Sequence, residues 1–125
     1  MLVRHMMIKD FVSSKKDATI KDCINTMFEK HVGSVVITDV EQKCEGIFTE
    51  RDAIRVISQA IALDTLIEKV MVKNVFTVSE DATFEDALHI IRERRVRHLP
   101  VTDSEGKIVG LMSIRHLFDE LFEMT

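Results

Sequence analysis

Apolar residues recur with helical spacing in two separate stretches of the chain. The first stretch contains Ile20, Cys23, Ile24, Met27 and Phe28, and the second contains Phe84, Ala87, Leu88 and Ile91. Spacings of three and four residues place such side chains on one stripe of an amphipathic helix. Each stretch opens with a threonine followed three residues later by an aspartate, in T-I-K-D at 19–22 and T-F-E-D at 83–86. These are capping boxes, which mark the start of a helix.

Short apolar runs between polar turns predict the strands. The runs V-V-I-T at 35–38 and L-P-V-T at 99–102 both end at aspartates, and second strands are expected at 46–49 and 110–113. A second helix closes each half, over roughly 51–62 and 114–124, and short extended pieces near 11–13 and 75–78 precede the first helices. Each half therefore reads β-α-β-β-α.

The two halves are an internal repeat, because a shift of 64 residues aligns them without a gap. D-A-T at 17–19 falls on D-A-T at 81–83, T-D at 38–39 falls on T-D at 102–103, and Gly46 falls on Gly110. A single half of about 60 residues buries too little surface to be robust alone. We predict an α+β fold of two repeats related by a pseudo-two-fold axis and packed as one module. The first repeat would span 6–62, a linker 63–71, and the second repeat 72–124.

Composition limits the classes of function. No apolar run approaches the ~18 residues of a membrane span, and the N-terminus lacks a signal-peptide core. The formal charge of −4 speaks against a broad nucleic-acid surface. Cys23 and Cys44 align with Ala87 and Ile108 and are interpreted as small buried residues, which fits a reducing cytoplasm.

With these residues in view, the chain resembles a tandem pair of CBS domains over roughly residues 6–124. The resemblance rests on D-A-T before the first helix of each half, on R-H-L-P-V-T-D at 97–103 and on G-I-F-T-E-R-D at 46–52. The first half carries G-S-V-V-I-T-D at 33–39, without the proline. The resemblance implies a non-catalytic regulatory module, usually dimeric, that senses an adenosine-containing ligand such as AMP, ADP, ATP or S-adenosylmethionine. We expect no cofactor and no metal beyond this ligand.

The phrase G-I-F-T-E-R-D suits a nucleotide for physical reasons. Glycine admits close approach of a ligand to the backbone, and the start of the following helix presents donors to phosphate. Asp52 offers two acceptor oxygens for the two ribose hydroxyls. The alternative is that Thr49 and Asp52 form only a capping box, and the two roles are compatible.

The resemblance implies two ligand sites in clefts between the repeats. The first would combine residues of both halves: Gly46, Ile47, Thr49, Asp52, Thr77, Ala82, Val96, Arg97, Leu99, Pro100 and Arg115. Asp52 would bind ribose, Thr49 and Arg115 phosphate, and the region of Thr77, Ala82 and Val96 the base. The second site would use the residues at the aligned or facing positions: Ser13, Ala18, Val32, Gly33, Arg51, Gly110, Leu111, Ser113 and His116.

The second site is weakened in two places. His116 stands where the first half has Asp52, and neutral imidazole has only one acceptor. Gly33 supplies no cation where the second half has Arg97. We expect one good site per chain, at Asp52. The competing interpretation is that His116 merely replaces a cap residue and that the second cleft binds something else.

Two other classes of function remain open. The cluster R-E-R-R-V-R-H at 92–98 could serve a nucleic-acid-binding adaptor, although the negative net charge disfavours it. A structural dimerisation module would need only an apolar face, for which the last helix offers Leu117, Phe118, Leu121, Phe122 and Met124 and its counterpart Ile54, Ile57 and Ile61. The histidines show no metal-ligand spacing and no nucleophile motif is present, so an enzyme is not expected. The chain would act on an unidentified effector protein or on itself.

Overall fold

The computed structural model describes residues 1–123, without the side chains of Glu120 and Leu121. Its regular elements follow the order β1 (Ser13–Ser14), α1 (Ile20–Lys30), β2 (Ser34–Thr38), β3 (Cys44–Thr49), α2 (Glu50–Ser58), β4 (Val78–Ser79), α3 (Phe84–Arg94), β5 (His98–Thr102), β6 (Ile108–Ser113) and α4 (Ile114–Glu123). Two 3₁₀ turns lie at Val3–His5 and Ile67–Lys69. The α+β class and the repeated β-α-β-β-α order are confirmed.

The chain forms two compact units. One is Val12–Val75, and the other joins Met1–Phe11 to the chain from Phe76 onward. The segment predicted as a linker, 63–71, belongs to the first of these units and contributes the fully buried Ile67 to its core. The repeat boundaries inferred from the sequence stay a prediction, but this segment is an integral part of a core.

In the unit Val12–Val75, the strands pair in the order β1-β2-β3, with β1 parallel and β3 antiparallel to β2. All five residues of β2 are buried. Apolar residues of α1, of the sheet, of α2 and of the segment after it form the core: Ile20, Cys23, Met27, Val35, Ile37, Phe48, Val56, Ile67, Val70 and Met71.

The other unit repeats this arrangement with the order β4-β5-β6 and the same parallel and antiparallel pairings. Its core includes Val3, which comes from the N-terminal segment and is fully buried. Val3 donates its backbone N–H to the Ala82 carbonyl at 2.9 Å, and Arg4 forms an ion pair with Asp81. The first residues of the chain thus stabilise the fold around α3.

The predicted helix starts are confirmed. Thr19 accepts from the Asp22 amide at 3.1 Å while the Asp22 carboxylate accepts from the Thr19 amide at 3.1 Å, and Thr83 with Asp86 repeats this geometry. The helix ends were less predictable. Helix α2 stops at Ser58, short of the predicted residue 62, because Ala60 adopts a left-handed conformation with φ of 55°.

The predicted apolar stripe of α1 is wrong at its last member. Phe28 is 81% exposed, whereas Ile20, Cys23 and Met27 are buried. Its aligned residue in α3 is Arg92, which is also exposed. The inward face of this helix therefore ends at Met27.

The repeat extends further toward the N-terminus than residue 6, where the first repeat was predicted to begin. The same shift of 64 residues pairs the turn Val3–His5 with Ile67–Lys69, Met7 with Met71 and Ile8 with Val72. In both cases, the residue after the methionine forms an isolated antiparallel bridge to the closing strand of its unit, Ile8 to Leu111 and Val72 to Ile47. Each unit therefore includes a segment with the same 3₁₀ turn and the same bridge to its last strand.

Candidate functional site

The carboxylate of Asp52 lies at the start of α2, where it closes a capping box with Thr49. Its Oδ2 accepts from the Thr49 amide at 2.9 Å and from the Thr49 hydroxyl at 3.0 Å, and the Asp52 amide donates back to that hydroxyl at 3.3 Å. The Asp52 side chain is only 12% exposed. The cap expected from the sequence is present, and it occupies one of the two carboxylate oxygens.

The second carboxylate oxygen of Asp52 faces Arg55, one helical turn further on. Arg55 Nη2 lies 3.6 Å from Asp52 Oδ1 and donates a hydrogen bond of 2.7 Å to the Val70 carbonyl. The distance of 3.6 Å is too long for a hydrogen bond but close enough for charge attraction. Oδ1 therefore keeps acceptor capacity toward another group.

The two residues at the start of G-I-F-T-E-R-D are held by the segment at 71–72. A Cβ placed on Gly46 would lie 2.5 Å from Met71 Sδ and 2.9 Å from the Val72 carbonyl oxygen. The Ile47 and Val72 backbones exchange two hydrogen bonds of 3.0 and 2.9 Å. Packing against this segment therefore requires glycine at position 46, independently of any ligand.

The corresponding position of the other unit lacks a carboxylate. Ser113 precedes α4, and its Oγ accepts from the His116 amide at 3.1 Å. Gly110 is packed in a similar way, because a Cβ there would lie 2.5 Å from Met7 Sδ and 3.1 Å from the Ile8 carbonyl oxygen. The two units share the glycine packing and the hydroxyl cap, and they differ in the residue that could bind ribose.

The first N–H group of α2 and the first N–H group of α4 each donate a hydrogen bond to a backbone carbonyl of the same unit. The Glu50 N–H donates to the Gly33 carbonyl at 3.0 Å, and the Ile114 N–H donates to the Arg97 carbonyl at 3.1 Å. This pairing brings Gly33 to the start of α2 and Arg97 to the start of α4. The start of α4 therefore has two exposed basic residues nearby, Arg97 and Arg115. The start of α2 has two acidic residues instead, Glu50 and Asp52.

The remaining predicted site residues divide between the units. The unit Val12–Val75 contains all of the predicted residues up to Asp52, including Ser13, Ala18, Val32 and Arg51. The other unit contains Thr77, Ala82, Val96, Leu99, Pro100 and Leu111 with those already placed near α4. The side chains of Leu99 and Pro100 are fully buried, so only their backbone could face a ligand. Arg55 was not among the residues predicted from the sequence, although it stands three residues after Asp52 on a predicted helix, a spacing at which side chains interact.

Other chemistry is limited in the described part of the chain. Among the residues and side chains that the structure describes, no cluster of three His, Cys, Asp or Glu is arranged to hold a metal ion, and no helix is long and apolar enough to cross a bilayer. Burial raises the pKa of the Cys23 thiol to about 11, and burial also raises the pKa of Cys44. Cys23 is buried as expected, whereas Cys44 is only half-buried. Neither thiol has the environment of a reactive nucleophile.

The family model for the CBS domain matches this chain twice, at residues 3–59 and 67–123. The chain therefore belongs to the CBS-domain family and contains two copies of the domain in tandem. The CBS pair is a regulatory module. The first match begins at residue 3 and the second at residue 67, in keeping with the extended repeat register that the two 3₁₀ turns reveal.

The residues that match this chain make up only part of the length of two similar proteins. An uncharacterized 17.7 kDa protein of Acidianus ambivalens is 38% identical over 110 residues, which cover 88% of this chain and 66% of that protein. Inosine-5'-monophosphate dehydrogenase of Methanocaldococcus jannaschii is 32% identical over 113 residues, which cover 90% of this chain and 22% of the enzyme. The chain thus spans between about a fifth and two thirds of the length of these relatives.

Solved structures of CBS proteins share the fold. A CBS domain protein from Pyrobaculum aerophilum complexed with AMP matches with a TM-score of 0.89 and 25% identity, covering 99% of this chain and 98% of that one. A CBS domain pair in complex with 5′-methylthioadenosine and S-adenosyl-L-methionine matches with a TM-score of 0.90 at 20% identity, covering 100% and 98% of the two chains. At 20% identity, the similarity to this second structure shows the fold alone.

Proposed function

We propose that this chain is a non-catalytic regulatory module that binds an adenosine-containing ligand, of the class AMP, ADP, ATP or S-adenosylmethionine. The AMP complex of the Pyrobaculum aerophilum protein, which is similar to this chain over nearly its whole length, supports the class of ligand. The proposed site is the set of residues predicted from the sequence around Asp52, and the set around His116 is the weaker second site. Ligand binding would favour one arrangement of the chain over another and so regulate an effector protein in the cytoplasm.

The main observation behind the proposal is that only one of the two carboxylate oxygens of Asp52 accepts hydrogen bonds within the protein. Its Oδ2 is used by Thr49, whereas Oδ1 has only the Arg55 guanidinium nearby, at 3.6 Å. A carboxylate has about four lone-pair sites, so the cap leaves room for ribose hydroxyls. The caps at Asp22 and Asp86 also use one carboxylate oxygen, and Asp52 differs from them in that the Arg55 guanidinium lies beside its second oxygen.

The experiment is isothermal titration calorimetry of AMP, ADP, ATP, S-adenosylmethionine and NAD against the wild type and Asp52→Ala. The matched control is Asp22→Ala, because Asp22 closes the same kind of capping box at α1 and lies outside the predicted sites. Both variants lose the carboxylate half of a capping box and keep the threonine N-cap, so both should lose a similar, small amount of stability. We expect saturable binding to the wild type and to Asp22→Ala, and its loss in Asp52→Ala.

The outcomes separate ligand binding from capping. A stoichiometry near one ligand per chain would support a single good site, in line with the chemistry of His116. If none of these compounds binds the wild type at millimolar concentration, the sensor function is wrong. If Asp52→Ala binds as well as Asp22→Ala, the ligand is held elsewhere.

Self-association is a second candidate function, and exposed isoleucines on α2 favour it. Ile54 and Ile57 are 68% and 66% exposed, which is unusual for two large apolar residues on one helix face and typical of an interface. Helix α4 likewise exposes Phe118 and Phe122, while Met124 and the side chain of Leu121 lie outside the described residues. We propose a homodimer, and light scattering tests it: Ile57→Glu should shift the mass toward the monomer, whereas a monomeric wild type at micromolar concentration would refute it.

Nucleic-acid binding is the less favoured alternative. Arg92, Arg94, Arg95 and Arg97 are exposed, but the Arg94 guanidinium lies 4.9 Å from the centre of the Phe76 ring and so takes part in a contact within its unit. Binding of an oligonucleotide that weakens steeply with salt would support this alternative.

A further inference from the structure

A continuous set of polar contacts connects the start of α2 to the segment that follows it in the unit Val12–Val75. The Thr49 hydroxyl lies 3.0 Å from Asp52 Oδ2, and Asp52 Oδ1 lies 3.6 Å from Arg55 Nη2. The same Nη2 donates to the Val70 carbonyl at 2.7 Å. Arg55 is thus the residue through which the Asp52 carboxylate contacts the backbone of the 70–72 segment.

The position of Arg55 restrains the direction of the Asp52 carboxylate by charge attraction. A guanidinium keeps its charge at every accessible pH and presents donors in a rigid plane. Its hydrogen bond to a backbone carbonyl restrains that plane, so its charge is held on the Oδ1 side of Asp52. Thr49 restrains Oδ2 on the other side. Hydrogen bonds on Oδ2 and charge attraction on Oδ1 together favour one orientation of the carboxylate.

The same segment supports the other predicted ligand residues of this unit. Met71 packs on Gly46 and Val72 pairs with Ile47, while Val70 receives the Arg55 hydrogen bond. Residues 70–72 therefore position Gly46, Ile47 and, through Arg55, Asp52. The orientation of the carboxylate is tied to the backbone on which the rest of the predicted site stands.

The second repeat does not reproduce this chemistry. The residues aligned with Asp52 and Arg55 are His116 and Asp119, so the carboxylate and the basic group exchange places along the helix. An aspartate cannot donate to a backbone carbonyl as Arg55 does. The link through an arginine belongs to the first repeat alone, together with the ribose-type carboxylate.

We propose that Arg55 is a positioning residue that holds Asp52 in its ribose-binding orientation and thereby sets the preference for a ribonucleotide over a 2′-deoxyribonucleotide. This inference rests on the proposed function. Since Thr49 occupies Oδ2, the ribose hydroxyls would bind at Oδ1, which reaches them only when the carboxylate is correctly directed. A site built for a hydroxyl discriminates strongly against a ligand that lacks it. A carboxylate that can rotate loses this discrimination along with part of its affinity.

The test is titration calorimetry of AMP and 2′-deoxyAMP against the wild type, Arg55→Met and Arg55→Gln. Arg55→Met removes the charge and the donor, whereas Arg55→Gln keeps an amide donor for the Val70 carbonyl without the charge. The control is Arg92→Met, an exposed arginine outside the predicted sites. Thermal unfolding of each variant reports whether it is folded.

We expect the wild type and Arg92→Met to bind AMP at least roughly tenfold more tightly than 2′-deoxyAMP. In Arg55→Met, AMP affinity should fall by roughly tenfold and the ratio of the two affinities should approach unity, with Arg55→Gln intermediate. If Arg55→Met does not fold, Arg55→Gln decides.

A purely structural role for Arg55 would lower the melting temperature and leave the AMP to 2′-deoxyAMP ratio unchanged, and that result would overturn the inference. If the wild type binds AMP, Asp52→Ala abolishes binding and the Arg55 variants keep the ratio, only the inference fails. If the wild type binds no adenosine compound, the proposed function fails and the inference falls with it.

Discussion

Gly46 and Met71 pack so closely that the thioether of Met71 occupies the place where a side chain at position 46 would begin. A Cβ on Gly46 would lie 2.5 Å from Met71 Sδ, 2.8 Å from Met71 Cγ and 2.9 Å from the Val72 carbonyl oxygen. Gly110 and Met7 reproduce this relationship in the other unit. A glycine interpreted from sequence as room for a ligand is first of all room for a methionine of the same unit.

Gly46→Ala should therefore destabilise the protein by about 1–3 kcal/mol, because overpacking forces the surroundings to shift. Met71 can move in part, but the Val72 carbonyl is backbone and is held by its pairing with Ile47. Urea unfolding of Gly46→Ala, Met71→Ala and the double variant measures this. The double variant should be more stable than the sum of the single effects by at least about 0.5 kcal/mol. Strict additivity would mean that the close contact does not decide the cost.

The internal repeat made most of the fold predictable from sequence, because the helix caps, the strand ends and the apolar pattern all recur together. The capping boxes at Thr19 and Thr83 have a local chemical signature, and the structure places the helices directly after them. The strands were predictable as apolar runs ending at aspartates. These features depend on neighbours in the sequence.

Features that depend on distant contacts were not predictable. The pattern 66–72 shares only a few identities with 2–8, and nothing local indicates that each segment completes a core. The left-handed residues His31, Ala60 and Arg95 end helices without the glycine that usually marks such positions. Arg55 reaches the Val70 carbonyl across 15 residues of sequence, so its role near Asp52 became visible only in three dimensions.

Ala60→Gly should stabilise the protein. Ala60 has φ of 55° in a motif where the Ala60 amide donates to the Ile57 carbonyl and the Ile61 amide to the Val56 carbonyl, both at 3.1 Å. This is the Schellman arrangement, which favours glycine at the left-handed position. Relief of the left-handed strain, at about 1–2 kcal/mol for a residue with a Cβ, is partly offset by the greater entropy of glycine in the unfolded chain.

Ala62→Gly is the matched control for that change, because Ala62 is an exposed alanine nearby whose φ is not positive. We expect a gain of up to about 1 kcal/mol for Ala60→Gly and a small loss for Ala62→Gly in urea unfolding. Equal effects at both positions would indicate that the backbone conformation of Ala60 is not the cause.

Stability should fall as the pH drops below 4, and Asp39 should contribute to this fall. Hydrogen bonds from the amides of Lys43 and Glu41, at 2.9 and 2.8 Å, lower the pKa of the Asp39 carboxyl. A carboxyl with a folded pKa below its unfolded value of about 3.9 stabilises the fold above that unfolded value. The contribution is lost as the pH falls through the lower, folded pKa.

Asp39→Asn keeps an acceptor oxygen for these amides but removes the charge and the titration. Urea unfolding between pH 6 and pH 2 (a range of about two units on each side of the unfolded pKa) should therefore show a shallower pH dependence in Asp39→Asn than in the wild type. Asp22→Asn should act in the same direction, since hydrogen bonding to Thr19 lowers the pKa of Asp22. An unchanged slope in both variants would contradict the assignment.

The Cys23 thiol should resist alkylation in the folded protein. Burial raises its pKa to about 11, so at pH 7.5, a few units below that value, almost none of it is the thiolate that reacts. A variant with Cys44→Ala leaves Cys23 as the single thiol, and iodoacetamide labelling followed by mass spectrometry measures its rate. We expect labelling to be slow in buffer and fast in denaturing urea. Rapid labelling in buffer would mean that Cys23 is reached without unfolding.

The raised pKa of Cys23 also predicts how stability depends on pH. A thiol with a raised folded pKa stabilises the fold below its unfolded pKa, and that contribution should be lost as the pH rises from about 8.5 toward 11.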